Sequence, residues 1–158
     1  MEGGGFIKFK GSLLAVKDVT VSKAFYVSVL EQKIIFDLGE HVTFDGGFSI
    51  QQNYSQLIGL SESDILRKAN DFQLYFEVTD LDSWNSRLKN ISGLEFVHGI
   101  KEYAWGQRSI RLYDPDMHII EVAESMESVV KCFLKQGISV EETAERTMFP
   151  IDFVKQCL

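Results

Sequence analysis

Residues 105–124 read WGQRSIRLYDPDMHIIEVAE, and this stretch decides the fold. Its pattern predicts a strand over Arg108–Tyr113, a tight turn on Asp114-Pro115-Asp116 and a return strand over His118–Ala123. Pro115 fixes its own φ at about −65°, as the second residue of a type I turn requires, and an aspartate on either side favours turn geometry. Ile110 and Leu112 point to one face of the first strand, Arg111 and Tyr113 to the other. On the return strand Ile120 and Val122 share one face, while Ile119, Glu121 and Ala123 share the opposite one. A carboxylate in the middle of an otherwise apolar strand implies either a wet face or a working cavity.

Working outward from the hairpin, the same grammar occurs twice. Val16-Lys17-Asp18-Val19 is answered by Val78-Thr79-Asp80-Leu81, an offset of 78 − 16 = 62 residues. In the first copy a strand ends at Val16, and Asp18 caps a helix whose apolar positions are Val21, Ala24, Phe25, Ser28 and Val29. That helix is expected to end near Leu30 to Gln32, with strands at Lys33–Asp37, at Val42–Phe44 and, after the Asp45-Gly46-Gly47 turn, at Phe48–Asn53. In the second copy Asp80 caps a helix with Leu81, Trp84, Leu88 and Ile91 on one face, followed after Gly93 by a strand over Leu94–His98 and then by the hairpin. Each copy therefore reads βαβββ. A half of about 60 residues buries too little surface to stand alone comfortably, so the copies are expected to pair through their sheets. Leu57–Asp71 is the expected connection, polar and able to carry a helical turn.

The last 34 residues have a different character. Ser125 caps a helix with Met126, Val129, Val130, Phe133 and Leu134 at helical spacing, stopped by Gly137. Ser139-Val140-Glu141-Glu142 reads as a capping box, and Pro150 suits the first turn of a last short helix carrying Phe153, Val154 and Cys157. The pattern from Gly137 to Ala144 is similar to a helix-turn-helix fragment, but the following helix offers only Lys155 and Gln156 to reach base edges. A helical appendage that packs on a sheet or on a partner subunit is the expectation for residues 125–158.

The chain has 158 residues, 45% hydrophobic and 25% charged, with two prolines, as expected of a soluble globular domain. Its net charge of −7 disfavours a nucleic-acid partner. No uninterrupted apolar stretch approaches the ~18 residues of a membrane span, and MEGGGFIKFKG lacks the pattern of a secretory signal. Cys132 and Cys157 are too few for a disulfide scaffold and read as reduced thiols, so the expected location is cytoplasmic.

Residues 6–124 resemble the vicinal oxygen chelate superfamily, which includes glyoxalases, bleomycin-resistance proteins and extradiol dioxygenases. Gly106, Arg108, Asp114, Pro115, Asp116 and Glu121 fall on that family's Gly-x-Arg strand, DPDG turn and closing strand; Met117 stands where the family has glycine, and Glu31 where it has glycine after the first helix. The resemblance implies an α+β fold in which paired βαβββ modules, about 6–56 and 72–124, form curved mixed sheets around a cavity, with the helical extension 125–158 added. It also implies a homodimer.

The family's metal site takes one donor from each of four strands. Carried over, those positions are Gly11, which has no donor side chain, Gln73, a residue of Phe48–Gln52 (Ser49 or Gln51 by parity), and Glu121. One carboxylate and two amides, Gln51 and Gln73, are a poor trap for zinc, nickel, manganese or iron, which take imidazole, thiolate or carboxylate ligands. His118 points away from Glu121 on the strand, and His41 and His98 lie near the ends of other strands. Glu121 is a candidate general base, or else a glutamate hydrogen-bonded to a neighbour such as Gln73. By parity Gln73, Tyr75 and Glu77 line one strand face, and with Trp105, Arg111 and Tyr113 they outline a cavity with aromatic walls, suited to a small organic ligand. Three readings stand: a metal-independent protein binding such a ligand; a metal-dependent lyase, isomerase or dioxygenase of the glyoxalase type; and an interaction module built on the C-terminal helices.

Overall fold

The computed structural model describes residues 7–158, which fall into two compact units divided between Lys68 and Ala69. In the first, β1 (Ser12–Val16), α1 (Val19–Ser28), β2 (Ile34–Asp37), β3 (His41–Phe44) and β4 (Phe48–Gln52) are followed by the short helix α2 (Tyr54–Ile58) and a single 3₁₀ turn at Glu62–Asp64. In the second, β5 (Gln73–Val78), α3 (Leu81–Lys89), β6 (Phe96–Glu102), β7 (Arg108–Tyr113) and β8 (Ile119–Glu124) are followed by α4 (Met126–Lys135), α5 (Val140–Thr147) and α6 (Ile151–Gln156).

Both sheets have one topology. Their strand orders are β1-β4-β3-β2 and β5-β8-β7-β6, with the first strand of each copy parallel to the fourth and the remaining pairs antiparallel. The chain is thus an α+β protein made of two βαβββ modules with open sheets, and the repeat read from the sequence is a repeat of fold. Boundaries differ in detail. The first strand begins at Ser12, and Phe6 lies outside the described residues. β6 begins two residues later than expected and runs to Glu102. Among the described residues no helix is long and apolar enough to cross a membrane.

The core of the first unit is aromatic. Tyr26 is wholly buried, its ring 5.4 Å from that of Phe44 and 5.2 Å from that of Phe48, and those two stack on each other at 4.8 Å. This cluster corrects the expected helix face. Val21 is 52% exposed, while Ser22, Phe25 and Tyr26 turn inward, because α1 packs on β3 and β4 through its rings. Asp18 caps α1 as expected, accepting from the Thr20 and Val21 amides. Where glycine would close the helix, Glu31 itself takes a left-handed φ of 56°, and the Gln32 amide donates to Tyr26 O.

In the second unit Leu81 and Leu88 of α3 pack against Ile110, Leu112, Ile120 and Val122, the inner faces of the hairpin. Asp114 builds the turn: its Oδ1 accepts from the Asp116 and His118 amides at 2.9 and 2.8 Å, and its Oδ2 bonds His118 Nδ1 at 2.8 Å. Met117 keeps the turn's shape at its own expense, with φ 70°. A left-handed residue with a side chain is strained by about 1–2 kcal/mol. Met117→Gly is therefore expected to raise stability by about 0.5–1 kcal/mol, seen as a higher urea midpoint at unchanged slope.

The C-terminal helices belong to this second unit. Val130, Ala144, Val154 and Cys157 form their shared core. The capping box at Ser139 is only half made: Ser139 Oγ accepts from the Glu142 amide, but the Glu142 carboxylate accepts from Arg146 instead of turning back. Gly106, at φ 84°, lies against Phe133 of α4, where a Cβ would sit 2.3 Å from the ring.

Candidate functional site

Alternation along β5, β7 and β8 puts Gln73, Tyr75, Glu77, Arg111, Tyr113 and Glu121 on the face of the second sheet opposite α3. Arg111 is the centre of that face. Its Nη2 pairs with Glu121 Oε2 at 2.8 Å, its Nε donates to Gln73 Oε1 at 3.0 Å, and its Nη1 meets His98 Nε2 at 3.2 Å and the hydroxyl of Tyr103. Gln73 Nε2 closes the ring by donating to the same Glu121 oxygen at 2.7 Å. The Glu121 side chain is 7% exposed and that of Arg111 23%. A part-buried pair of this kind is held by its geometry and by the hydrogen bonds that satisfy the remaining atoms.

Beside this network a second one fixes the aromatic side chains. Trp105 stacks on Tyr103 at 4.7 Å and donates from Nε1 to Gln107 Oε1 at 3.0 Å. Gln107 in turn donates to Tyr75 OH and to the Glu124 carbonyl, and Tyr75 donates to Glu77 Oε1 at 2.9 Å. Burial, and secondarily the hydrogen bond to Glu77, push the Tyr75 phenol up to about 12. A phenol whose pKa is raised on folding contributes stability in full below about pH 10, and that contribution is lost as pH rises through 12. Tyr75→Phe is accordingly expected to lower the melting temperature near pH 7, where its hydrogen bonds to Glu77 and Gln107 are lost, and to flatten the fall between pH 10 and 12.

The two networks border a cleft of about 400 Å³ lined by Tyr75, Trp105, Gln107, Arg111, Glu121 and, from the C-terminal helices, Met126, Thr147, Met148 and Phe149. Of the residues picked from the sequence, Tyr75, Trp105, Arg111 and Glu121 meet here, with Gln73 hydrogen-bonded behind them. Glu77 touches the site through Tyr75, whereas Tyr113 donates to Asn70 Oδ1 at 2.7 Å. Gln51 lies in the first unit, where its Oε1 bonds His41 Nδ1 at 2.9 Å and a string of polar groups continues through Thr43 to Ser49.

Tyr103, Gln107, Thr147, Met148 and Phe149 went unnoticed in the sequence, Met126 was read only as a helix position, and His98 was set aside as lying near a strand end. His98 escapes alternation because register shifts on either side of it re-aim its ring, and it sits opposite Arg111. Nothing local marks Met148, although its φ of 60° and the adjoining Pro150 place the helix break that presents Phe149.

A metal is implied by the fold type, and the donors can be tested for it. Register settles the counterpart of Glu121: Tyr75 pairs with Glu121 as Leu13 pairs with Ser49, so the first copy offers a hydroxyl at that position. At Gly11 a Cβ would lie 2.2 Å from Gly47 O, so backbone occupies the space a donor side chain needs. Glu121 is engaged by a guanidinium, and among the described residues no three His, Cys, Asp or Glu side chains gather as a metal-binding group. These residues, as arranged, do not fit a divalent cation.

The glyoxalase-like domain family matches residues 9–127. The chain belongs to that family. This glyoxalase-like chain is 34% identical to a protein of unknown function from Agrobacterium tumefaciens str. C58, over 77% of its own length and 97% of that protein's, with a TM-score of 0.64. It shares the fold of a glyoxalase/bleomycin resistance protein/dioxygenase family enzyme from Burkholderia phytofirmans PsJN, at 16% identity, 75% and 98% coverage and TM-score 0.63. It also shares that of a lactoylglutathione lyase from Agrobacterium tumefaciens, at 20% identity, 73% and 92% coverage and TM-score 0.56. Among curated proteins none matches it significantly. The superfamily is that of the vicinal oxygen chelate proteins, and the glyoxalase-like match ends just inside the first C-terminal helix, so Thr147, Met148 and Phe149 stand beyond it.

Proposed function

We propose that this glyoxalase-like protein binds a small, largely apolar organic molecule in the cleft of its second unit and does so without a metal. The observation that carries this reading is the cleft itself: about 400 Å³, walled by Tyr75, Trp105, Met126 and Phe149, with polar atoms of Gln107, Arg111 and Glu121 on its floor. That volume and that mix of aromatic walls with few convergent polar groups suit a ligand of modest size. Hydrogen bonds hold Trp105 and Tyr75 before any ligand arrives, so little side-chain entropy is lost on binding. The resemblance also supports a homodimer, which light scattering would test as twice the chain mass.

The chain has two tryptophans, and Trp84→Phe leaves Trp105 as the sole reporter. Titrating this variant with a panel of aromatic small molecules is expected to give a saturable change in Trp105 emission for at least one compound. Phe149→Ala is expected to weaken that compound by about tenfold, the equivalent of 1.4 kcal/mol. One equivalent of a transition metal in the protein as purified, lost in Glu121→Gln, would overturn the reading.

A further inference from the structure

We infer that Arg111 is a built-in cation: its guanidinium takes the place a divalent metal would have beside Glu121 and Gln73, and its removal uncovers a metal site whose third donor is His98. The inference deepens the metal-free reading above and rests on it for the wild-type protein. Its basis is the set of acceptors around one side chain. Glu121 Oε2, Gln73 Oε1, His98 Nε2 and the Tyr103 hydroxyl come from four strands or loops and all converge on the same guanidinium. A carboxylate, an imidazole, an amide oxygen and a phenol around a single positive centre is the environment of a bound cation. His98 Nδ1 is bonded to the Gly99 carbonyl at 2.7 Å, which leaves Nε2 as the acceptor aimed at Arg111. The ring is therefore already oriented as a metal-binding imidazole is, with its far nitrogen anchored to a carbonyl. From β7, Arg111 reaches this place because it stands opposite Glu121 on β8 and opposite His98 on β6. An arginine is always charged and is tethered to the chain, so it supplies the positive centre without an ion from solution.

The test is a calorimetric titration with Ni²⁺ and with Zn²⁺ of the full-length wild type, Arg111→Met and Arg111→Gln. Arg111→Gln retains hydrogen-bonding capacity, so it keeps the comparison available if the methionine variant does not fold; circular dichroism checks both. The expected result is one metal ion per chain in the variants, at least about tenfold tighter than any binding by wild type. That gain is expected to disappear when Glu121→Gln or His98→Gln is added. Folded arginine variants that gain no metal, or whose gain survives both additions, overturn the inference and leave the cleft reading intact. A wild-type protein that binds the ion tightly through Glu121 overturns both.

Discussion

Asp114→Ala is expected to destabilise the protein by about 3–5 kcal/mol, one of the two largest single-residue effects anticipated here. The Asp114 side chain is fully buried and accepts from the amides of Asp116 and His118 while bonding His118 Nδ1. Alanine removes the acceptor and leaves two amide groups behind, one of them in a buried residue, each unsatisfied donor costing about 1–3 kcal/mol. The damage reaches past the turn, because the Asp114 amide donates to His118 O and so sets the pairing of β7 with β8. Asp114→Asn keeps one carbonyl oxygen for the amides and is expected to cost less, under about 2 kcal/mol. Urea denaturation of the three proteins checks the order; an alanine variant within about 1 kcal/mol of wild type would show that the turn holds without its aspartate.

The second large effect is expected at Tyr26. Its ring is enclosed by Phe25, Phe44 and Phe48, with centroids 5.2–5.4 Å away. Truncation to alanine removes the most central ring of the first unit and leaves a cavity that stiff neighbouring strands do not fill, at a cost of about 3–5 kcal/mol. Tyr26→Phe keeps the ring and is expected to cost about 1 kcal/mol. Thermal unfolding followed by circular dichroism distinguishes the two. A loss below about 2 kcal/mol for the alanine variant would mean that α1 settles onto β3 and β4 without its ring.

Much of this architecture was legible in the chain. Asp114-Pro115-Asp116 between two alternating runs gave the hairpin, and the repeat of Val16–Asp18 at Val78–Asp80 gave the duplication, because caps and periodicities are local and survive in a single sequence. Alternation also put Gln73, Tyr75, Arg111 and Glu121 on one face, where they are found. What failed was long-range. The buried face of α1 was misread because Val21 is the more apolar on paper and Tyr26 carries a hydroxyl, and only the sheet beneath decides between them. The role of Arg111 was read as one lining residue among several, since no spacing rule joins positions 73, 98, 103, 111 and 121. His98 was set aside because it lies near a strand end with no companion ligand at useful spacing, and the shifted register on both sides of it hides its approach to Arg111. The tail looked like an appendage because its helices have their own amphipathic pattern, yet Met126 and Phe149 border the cleft.

The near-contact of Gly11 with Gly47 fixes what position 11 can carry. Every replacement at that spot drives its first carbon into a main-chain oxygen. A side chain at residue 11 would need the bend at residues 45–47 to be remodelled, because it is the backbone of that turn that fills the space.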